Sequence, residues 1–265
     1  MGWNNQVFYL AVSGLAVNLR QLTGSEDLLL LEAPSLDTRL ALTLLTKIAQ
    51  VADGSEVAWD TLSITDLDIL LLRTRQAVFG DRLRADVTCP GRTCGAPIEV
   101  YFQVSEYLAN YLPGKVRGTE ATEESGWLRF RDIPVSFRLP TGADQIAIAY
   151  HSHPERELMQ RCIRPADIPA KQLRRVEKAM ETLAPNLAQN LQGKCSECGA
   201  IVEIYFDPQQ FTLRELRNQS AFIYEEIHLL AMYYLMVRDS YFGATASATD
   251  AIRPEAATNQ EVSVR

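Results

Sequence analysis

Cys94-Gly95-Ala96-Pro97-Ile98-Glu99-Val100-Tyr101-Phe102 recurs as Cys198-Gly199-Ala200-Ile201-Val202-Glu203-Ile204-Tyr205-Phe206. A further cysteine precedes each copy, Cys89 in a C-x4-C pair and Cys195 in a C-x2-C pair. Thiolates at such spacings fold back onto one cation, and the glycine behind each pair lets the turn approach the metal closely. Tetrahedral zinc takes four ligands of this kind. The pattern therefore predicts one structural zinc held by Cys89, Cys94, Cys195 and Cys198, with the two knuckles forming one zinc-ribbon-like unit. The usual signature leaves about 15–20 residues between its pairs, whereas Gly95 to Lys194 intervene here. Closing the longer loop costs only about 1–2 kcal/mol more, against roughly 10–16 kcal/mol supplied by structural zinc in small peptides. A subdomain inserted between the knuckles is thus compatible with one shared site. Reading the cysteines as ordinary buried thiols leaves the matching phrases unexplained.

Length and charge bound the rest. The 265 residues can hold one large domain or two modest ones, and they carry a formal net charge of −7. That sign lacks the basic footprint of a nucleic-acid binder, so a nucleic-acid-binding zinc ribbon is the lesser alternative. Reduced, paired cysteines call for a reducing compartment during folding. The longest apolar stretch, Leu229 to Val237, is too short to span a bilayer, which excludes a membrane partner. No Lys or Arg precedes Val7–Val17, as a signal peptide would need, and Gln6 stands where a myristoylation signal has Ser or Thr. Cys162, beside Met159 and Ile163, reads as a small core residue.

The fold class expected is α+β, with helical subdomains around the zinc-ribbon-like unit. Residues 1–80 read as a strand pair, Val7–Val12 with Leu15–Arg20, followed by helices. A short helix opens at Thr23, another is capped by Ser35 and runs to about Ala52, and a third is capped by Thr65, with Asp68 as its capping acid and Gly80 as its stop. Residues 81–110 hold the first knuckle and its flanking strands. Residues 111–187 form an insertion. It comprises an exposed connection at Gly118–Gly126, a hairpin of Leu128–Phe130 with Val135–Leu139, and helices near 143–150, 155–163 and 169–183. Residues 188–212 hold the second knuckle, and one long helix spans about Leu213 to Val237 within 213–242. Residues 243–265 form a polar tail too poor in apolar side chains to order itself, except against a partner.

No phosphate loop, G-x-G-x-x-G, H-E-x-x-H or nucleophile elbow occurs, and no catalytic residue is assigned. One enzymatic alternative has substance. His153-Pro154-Glu155 with Cys195 and Cys198 matches part of the zinc deaminase signature, in which His and two Cys hold zinc while Glu moves protons. Lys194 departs from that signature, and Cys89 and Cys94 are left without a role. The pair His151 and His153 fits solvated surface better than a metal site. Glu225 and His228 have di-metal spacing, but such a site needs a second motif.

Several phrases, in order, resemble the T-even-phage baseplate hub and assembly-chaperone family of contractile injection systems. They are Asn18-Leu19-Arg20-Gln21-Leu22-Thr23-Gly24, the stretch Asp66 to Gly80, Arg138-Leu139-Pro140-Thr141-Gly142-Ala143-Asp144, Arg161-Cys162-Ile163 and Glu226-Ile227-His228-Leu229-Leu230-Ala231. After Tyr234 the chain departs from the family pattern, which continues with a tryptophan-containing turn and an arginine-paired helix. The resemblance implies a non-enzymatic component or assembly factor of a phage-tail-like machine. It implies other baseplate, hub or tail proteins as partners. It places the chain in the bacterial cytoplasm during assembly, with retention in the finished baseplate as the further possibility.

Overall fold

The computed structural model describes residues 7–234. Its first sheet is antiparallel, with strands β1 (Phe8–Tyr9), β2 (Ala16–Leu19) and β3 (Ala49–Val51) in that order. Between β2 and β3 lie helices α1 (Gly24–Glu32) and α2 (Thr38–Ile48). Thr23 opens α1 through a capping box: the Glu26 carboxylate accepts the Thr23 backbone N–H at 2.9 Å and is gripped by the Arg20 guanidinium at 2.9 and 3.0 Å. The cap of α2 is Asp37 rather than Ser35. Asp37 accepts from the Leu40 N–H at 3.1 Å, while the Ser35 hydroxyl donates to Asp37. This helix stops at Ile48 because the next residues pair with β2, Val51 opposite Val17 and Ala49 opposite Leu19. A three-residue strand has too little periodicity to be seen in sequence.

A single 3-10 turn, Trp59–Thr61, precedes α3 (Ile64–Phe79). The cap of α3 is Ser63, which accepts from the Asp66 N–H at 3.1 Å. Thr65, expected at that position, lies inside the helix and donates to the Pro185 carbonyl at 3.0 Å. Asp66 reaches back to accept the N–H groups of Val12 and Ser13 at 2.9 and 2.8 Å, fixing the β1–β2 turn to α3. Leu67, Ile69, Leu70 and Leu71 are buried in the main core, as expected, beside Leu44, Leu45 and Ile48 of α2.

Strands β4 (Arg82–Thr88) and β5 (Pro97–Gln103) form the first cysteine hairpin, and α4 (Val104–Asn110) follows directly. A four-stranded antiparallel sheet comes next, built from β6 (Thr119–Ala121), β7 (Trp127–Phe130), β8 (Ser136–Arg138) and β9 (Ile163–Arg164). The stretch expected as a plain connection thus contains an edge strand. Helices α5 (Gly142–Ile148) and α6 (Pro154–Cys162) lie between β8 and β9, and α7 (Ala170–Leu183) follows. Phe137, Cys162, Ile163 and Val176 make a second core, which accounts for Cys162 as a packing residue. Strands β10 (Gln189–Lys194) and β11 (Ile201–Phe206) form the second cysteine hairpin, ahead of α8 (Pro208–Gln219). The long C-terminal helix is not continuous. A 3-10 turn at Ser220–Phe222 separates α8 from α9 (Ile223–Tyr234), and Ser220 Oγ there lies 2.7 Å from Asp27 Oδ1 on α1. The expected end of that helix at Val237 and the polar tail 243–265 lie outside the described residues.

The segment read as an insertion repeats the elements that precede the first knuckle. The order β1-β2-α1-α2-β3-α3-β4-β5-α4 is followed by β7-β8-α5-α6-β9-α7-β10-β11-α8, with β6 added at the edge. The pairing matches as well: β3 returns to β2, and β9 returns to β8. So does the capping chemistry. Asp144 accepts the Thr141 N–H at 3.0 Å and is gripped by Arg138, as Glu26 is by Arg20. Arg20-x-x-Thr23-Gly24-x-Glu26 and Arg138-x-x-Thr141-Gly142-x-Asp144 are therefore one device used twice. Apart from β6, α9 and the 3-10 turns at Trp59–Thr61 and Ser220–Phe222, the described residues are thus a tandem repeat of one unit carrying one cysteine hairpin.

The duplicated boxes and the α3–α8 contact respond to pH in opposite senses. Burial raises both box carboxyls, but the guanidinium and N–H donors outweigh it and hold Glu26 and Asp144 below the usual range, so their stabilisation is lost on acidification. Asp68, only 5 % exposed on α3, is held well above the usual range by burial and then by the Asp207 charge. Its contribution is fully present below the unfolded value near 3.9 and is lost as pH rises through the folded value. Asp68→Asn is expected to stabilise the chain by on the order of 1–3 kcal/mol at pH 7 and to give no gain at pH 4. Urea unfolding of both proteins at the two pH values checks this.

Candidate metal centre

Each cysteine hairpin ends in a turn built by its own backbone. In the first, the last ladder pair is Thr88 opposite Pro97, and the Cys89 N–H then donates to the Ala96 carbonyl at 2.9 Å. In the second, the last pair is Lys194 opposite Ile201, and the Cys195 N–H donates to the Ala200 carbonyl, also at 2.9 Å. The glycine after each second cysteine has a left-handed backbone, φ +57° at Gly95 and +70° at Gly199, a conformation that side-chain-bearing residues rarely adopt. This is the local reason the phrase Cys-Gly-Ala occurs twice.

The two turns bring their thiols together. The four Sγ atoms of Cys89, Cys94, Cys195 and Cys198 all lie within 4.8 Å of one another. Contacts of 3.6 Å (Cys89 to Cys198) and 3.9 Å (Cys94 to Cys195) cross from one hairpin to the other. Zinc–sulfur bonds of about 2.3 Å put the edges of a tetrahedral site at about 3.8 Å, so the spacing fits a metal with four thiolates. Cys89 and Cys195 are buried, Cys94 is half-buried and Cys198 is exposed, with Val202, Val87, Ile98 and Ile204 packed around them.

Proton affinity shows what a cation would do for the thiols. The N–H groups of Cys198 and Glu197 draw Cys195 down to about 7 against the effect of burial. Gly91's N–H favours the Cys89 thiolate, but burial and the neighbouring thiols outweigh it and push Cys89 up to about 12. Cys94 is raised as well, because the Cys198 thiol and burial outweigh the N–H of Ala96. One thiolate therefore resists the formation of the next. A bound divalent ion reverses that balance, since a coordinating thiol is deprotonated outright.

The competing constellation does not assemble. His153 caps α6 and Glu155 stands in its first turn, both exposed, whereas the converging metal-ligand group among the described residues consists of the four cysteines. His153 and Glu155 are thus separate from the group to which Cys195 and Cys198 belong.

Against known families, the model of the T4 bacteriophage base plate protein matches residues 5–166. The chain belongs to the T4 bacteriophage base plate protein family. No curated protein and no solved structure matches it. The matched span contains Cys89 and Cys94 but ends before Cys195 and Cys198, so the four-thiol centre is seen from the fold and not from the family match.

The chain also ties its hairpins at their far ends. Phe102 and Phe206, which close the two copies of the repeated phrase, meet edge-to-face with centroids 5.3 Å apart. Tyr107 of α4 packs on both rings and donates its hydroxyl to the Leu187 carbonyl at 2.6 Å. The repetition of Phe at one offset was the available signal for this contact. Gly91 shows how closely the first loop approaches the thiols, since a Cβ there would lie 3.2 Å from Cys198 Sγ and 3.3 Å from Cys89 Sγ. Gly91→Ala is therefore expected to weaken metal binding roughly tenfold through overpacking. Competition with a chromophoric zinc chelator measures it.

Proposed function

We propose that this chain is a non-enzymatic structural component or assembly factor of the baseplate or hub of a contractile phage tail or phage-tail-like injection system, made rigid by one structural zinc. The observation carrying this reading is the convergence of four thiols from two hairpins, whose contacting cysteines are 101 and 109 residues apart in sequence, in a base plate family chain. Cys89, Cys94, Cys195 and Cys198 would hold the ion. An all-thiolate tetrahedral donor set favours zinc over harder divalent ions. Four protein ligands would leave no position open for substrate, which fits a structural role. When bound, the metal supplies four bonds shared between two small hairpins, each a zinc-knuckle arm of a ribbon-like unit.

In this reading the outer surfaces around the clamp meet other baseplate, hub or tail proteins, first in the bacterial cytoplasm during assembly and then in the particle. Among the described residues no helix is long and apolar enough to cross a membrane. The net charge of −7 favours protein partners over nucleic acid.

Zinc content per chain tests the reading. Wild type is expected to carry one zinc, Cys89→Ser to lose it and His153→Ala to keep it. Loss with His153→Ala but not with Cys89→Ser would support a deaminase-like site instead. Replacing all four cysteines by serine is expected to abolish particle assembly, scored by electron microscopy of lysates. Normal particles from that variant would overturn the structural role.

A further inference from the structure

The duplication gives the two cross-hairpin sulfur contacts a common origin. Cys89 corresponds to Cys195 and Cys94 to Cys198, so exchanging the halves turns the Cys89–Cys198 contact of 3.6 Å into the Cys195–Cys94 contact of 3.9 Å. One interaction is seen twice, and each occurrence joins one hairpin to the other. We propose that the centre is also a site of oxidative modification, in which a peroxide-class oxidant converts the four thiolates into two disulfides, Cys89–Cys198 and Cys94–Cys195. The inference rests on the four-thiol centre proposed above, but on the placement of its sulfurs and not on the identity of its ion.

Access and geometry favour this course. Cys198 is the exposed member and faces the buried Cys89. Its thiolate attacks one peroxide oxygen, breaking the O–O bond and forming a sulfenic acid. The Cys89 thiolate then displaces that oxygen as the S–S bond forms. For each pair, two thiolates lose two electrons to one hydrogen peroxide, which takes two protons and leaves as two waters. A bound dication loses its ligands in the process and is released. The sulfurs of the two pairs already lie 3.6 and 3.9 Å apart, short of the bond of about 2.05 Å by less than 2 Å. The Phe102–Phe206 contact holds the hairpin bases together while the ligands change partners. Pairing within each turn would free the two hairpins from one another, whereas cross-pairing keeps them tied after the metal has gone. A chain carried from a reducing compartment into an oxidising one would keep its clamp in the second form.

The test treats the purified, zinc-loaded full chain with hydrogen peroxide, alkylates the remaining thiols and maps linkages by mass spectrometry without reduction, while a chromophoric chelator records zinc release. Trypsin cuts after Arg92 and a glutamate-specific protease after Glu197, so every pairing yields distinct peptides. Free thiols are expected to fall from five to one, leaving the fully buried Cys162, with Cys89 linked to Cys198 and Cys94 to Cys195. The oxidised, metal-free protein is then expected to unfold at a higher urea concentration than the reduced, metal-free protein. Cys94→Ser with Cys195→Ser should leave a single Cys89–Cys198 linkage. Linkage of Cys89 to Cys94 and of Cys195 to Cys198, or sulfinic acids without linkage, would overturn the inference even if zinc is released. Cross-linked pairs formed in a protein that carried no zinc beforehand would uphold it and sink the metal reading.

Discussion

Two hairpins from distant parts of the chain must be kept face to face, and the rest of the architecture depends on that contact. A two-stranded ribbon is marginal by itself in water. Here each ribbon gains a partner at both ends, through thiols at the tips and phenylalanines at the bases. The helices inherit their positions from this arrangement. Helix α4 leaves the base of β5 without an intervening loop, and α8 leaves β11 after the single residue Asp207. Asp81 secures the same base from the other side, accepting from the Gln76 side chain on α3 and from the Ser105 N–H on α4.

Buried charge is handled by one solution in both halves. A carboxylate in the first turn of a helix accepts from the hydroxyl and the backbone N–H of the capping threonine and is met by an arginine three residues before that threonine, as at Glu26 and again at Asp144. Neither carboxylate is left without donors, which is the condition for keeping a charge in a low-dielectric interior. Asp68 shows what happens without an arginine, because burial, and then the Asp207 charge, hold its carboxyl well above the usual range.

The features legible in sequence were those written in residue type. The cysteine pairs, the following glycines, the α3 apolar run and the core position of Cys162 all follow from chemistry that few other residues supply. The features missed depended on partners far along the chain. β3, β6 and β9 are two or three residues long and become strands only because β2, β7 and β8 are beside them. Ser63 and Asp37 capped their helices in place of the expected Thr65 and Ser35, because the competing hydroxyls found other partners, the Pro185 carbonyl and the Asp37 carboxylate. The wider repeat is hidden in the sequence because only the cysteine phrases keep close identity. The Arg-x-x-Thr-Gly-x-acid signature was present twice but carried a different acid each time.

The doubled architecture also changes the statistics of assembly. A metal bridging two identical subunits forms only as often as the subunits meet, so such a joint weakens on dilution. Here both contributors travel on one polypeptide, and each sees the other at an effective concentration set by the intervening chain and not by the amount of protein in the cell. Bringing the two sets of thiols together is a first-order event within one molecule. The two copies, no longer bound to stay identical, are free to diverge, one edge carrying β6 and the other end carrying α9.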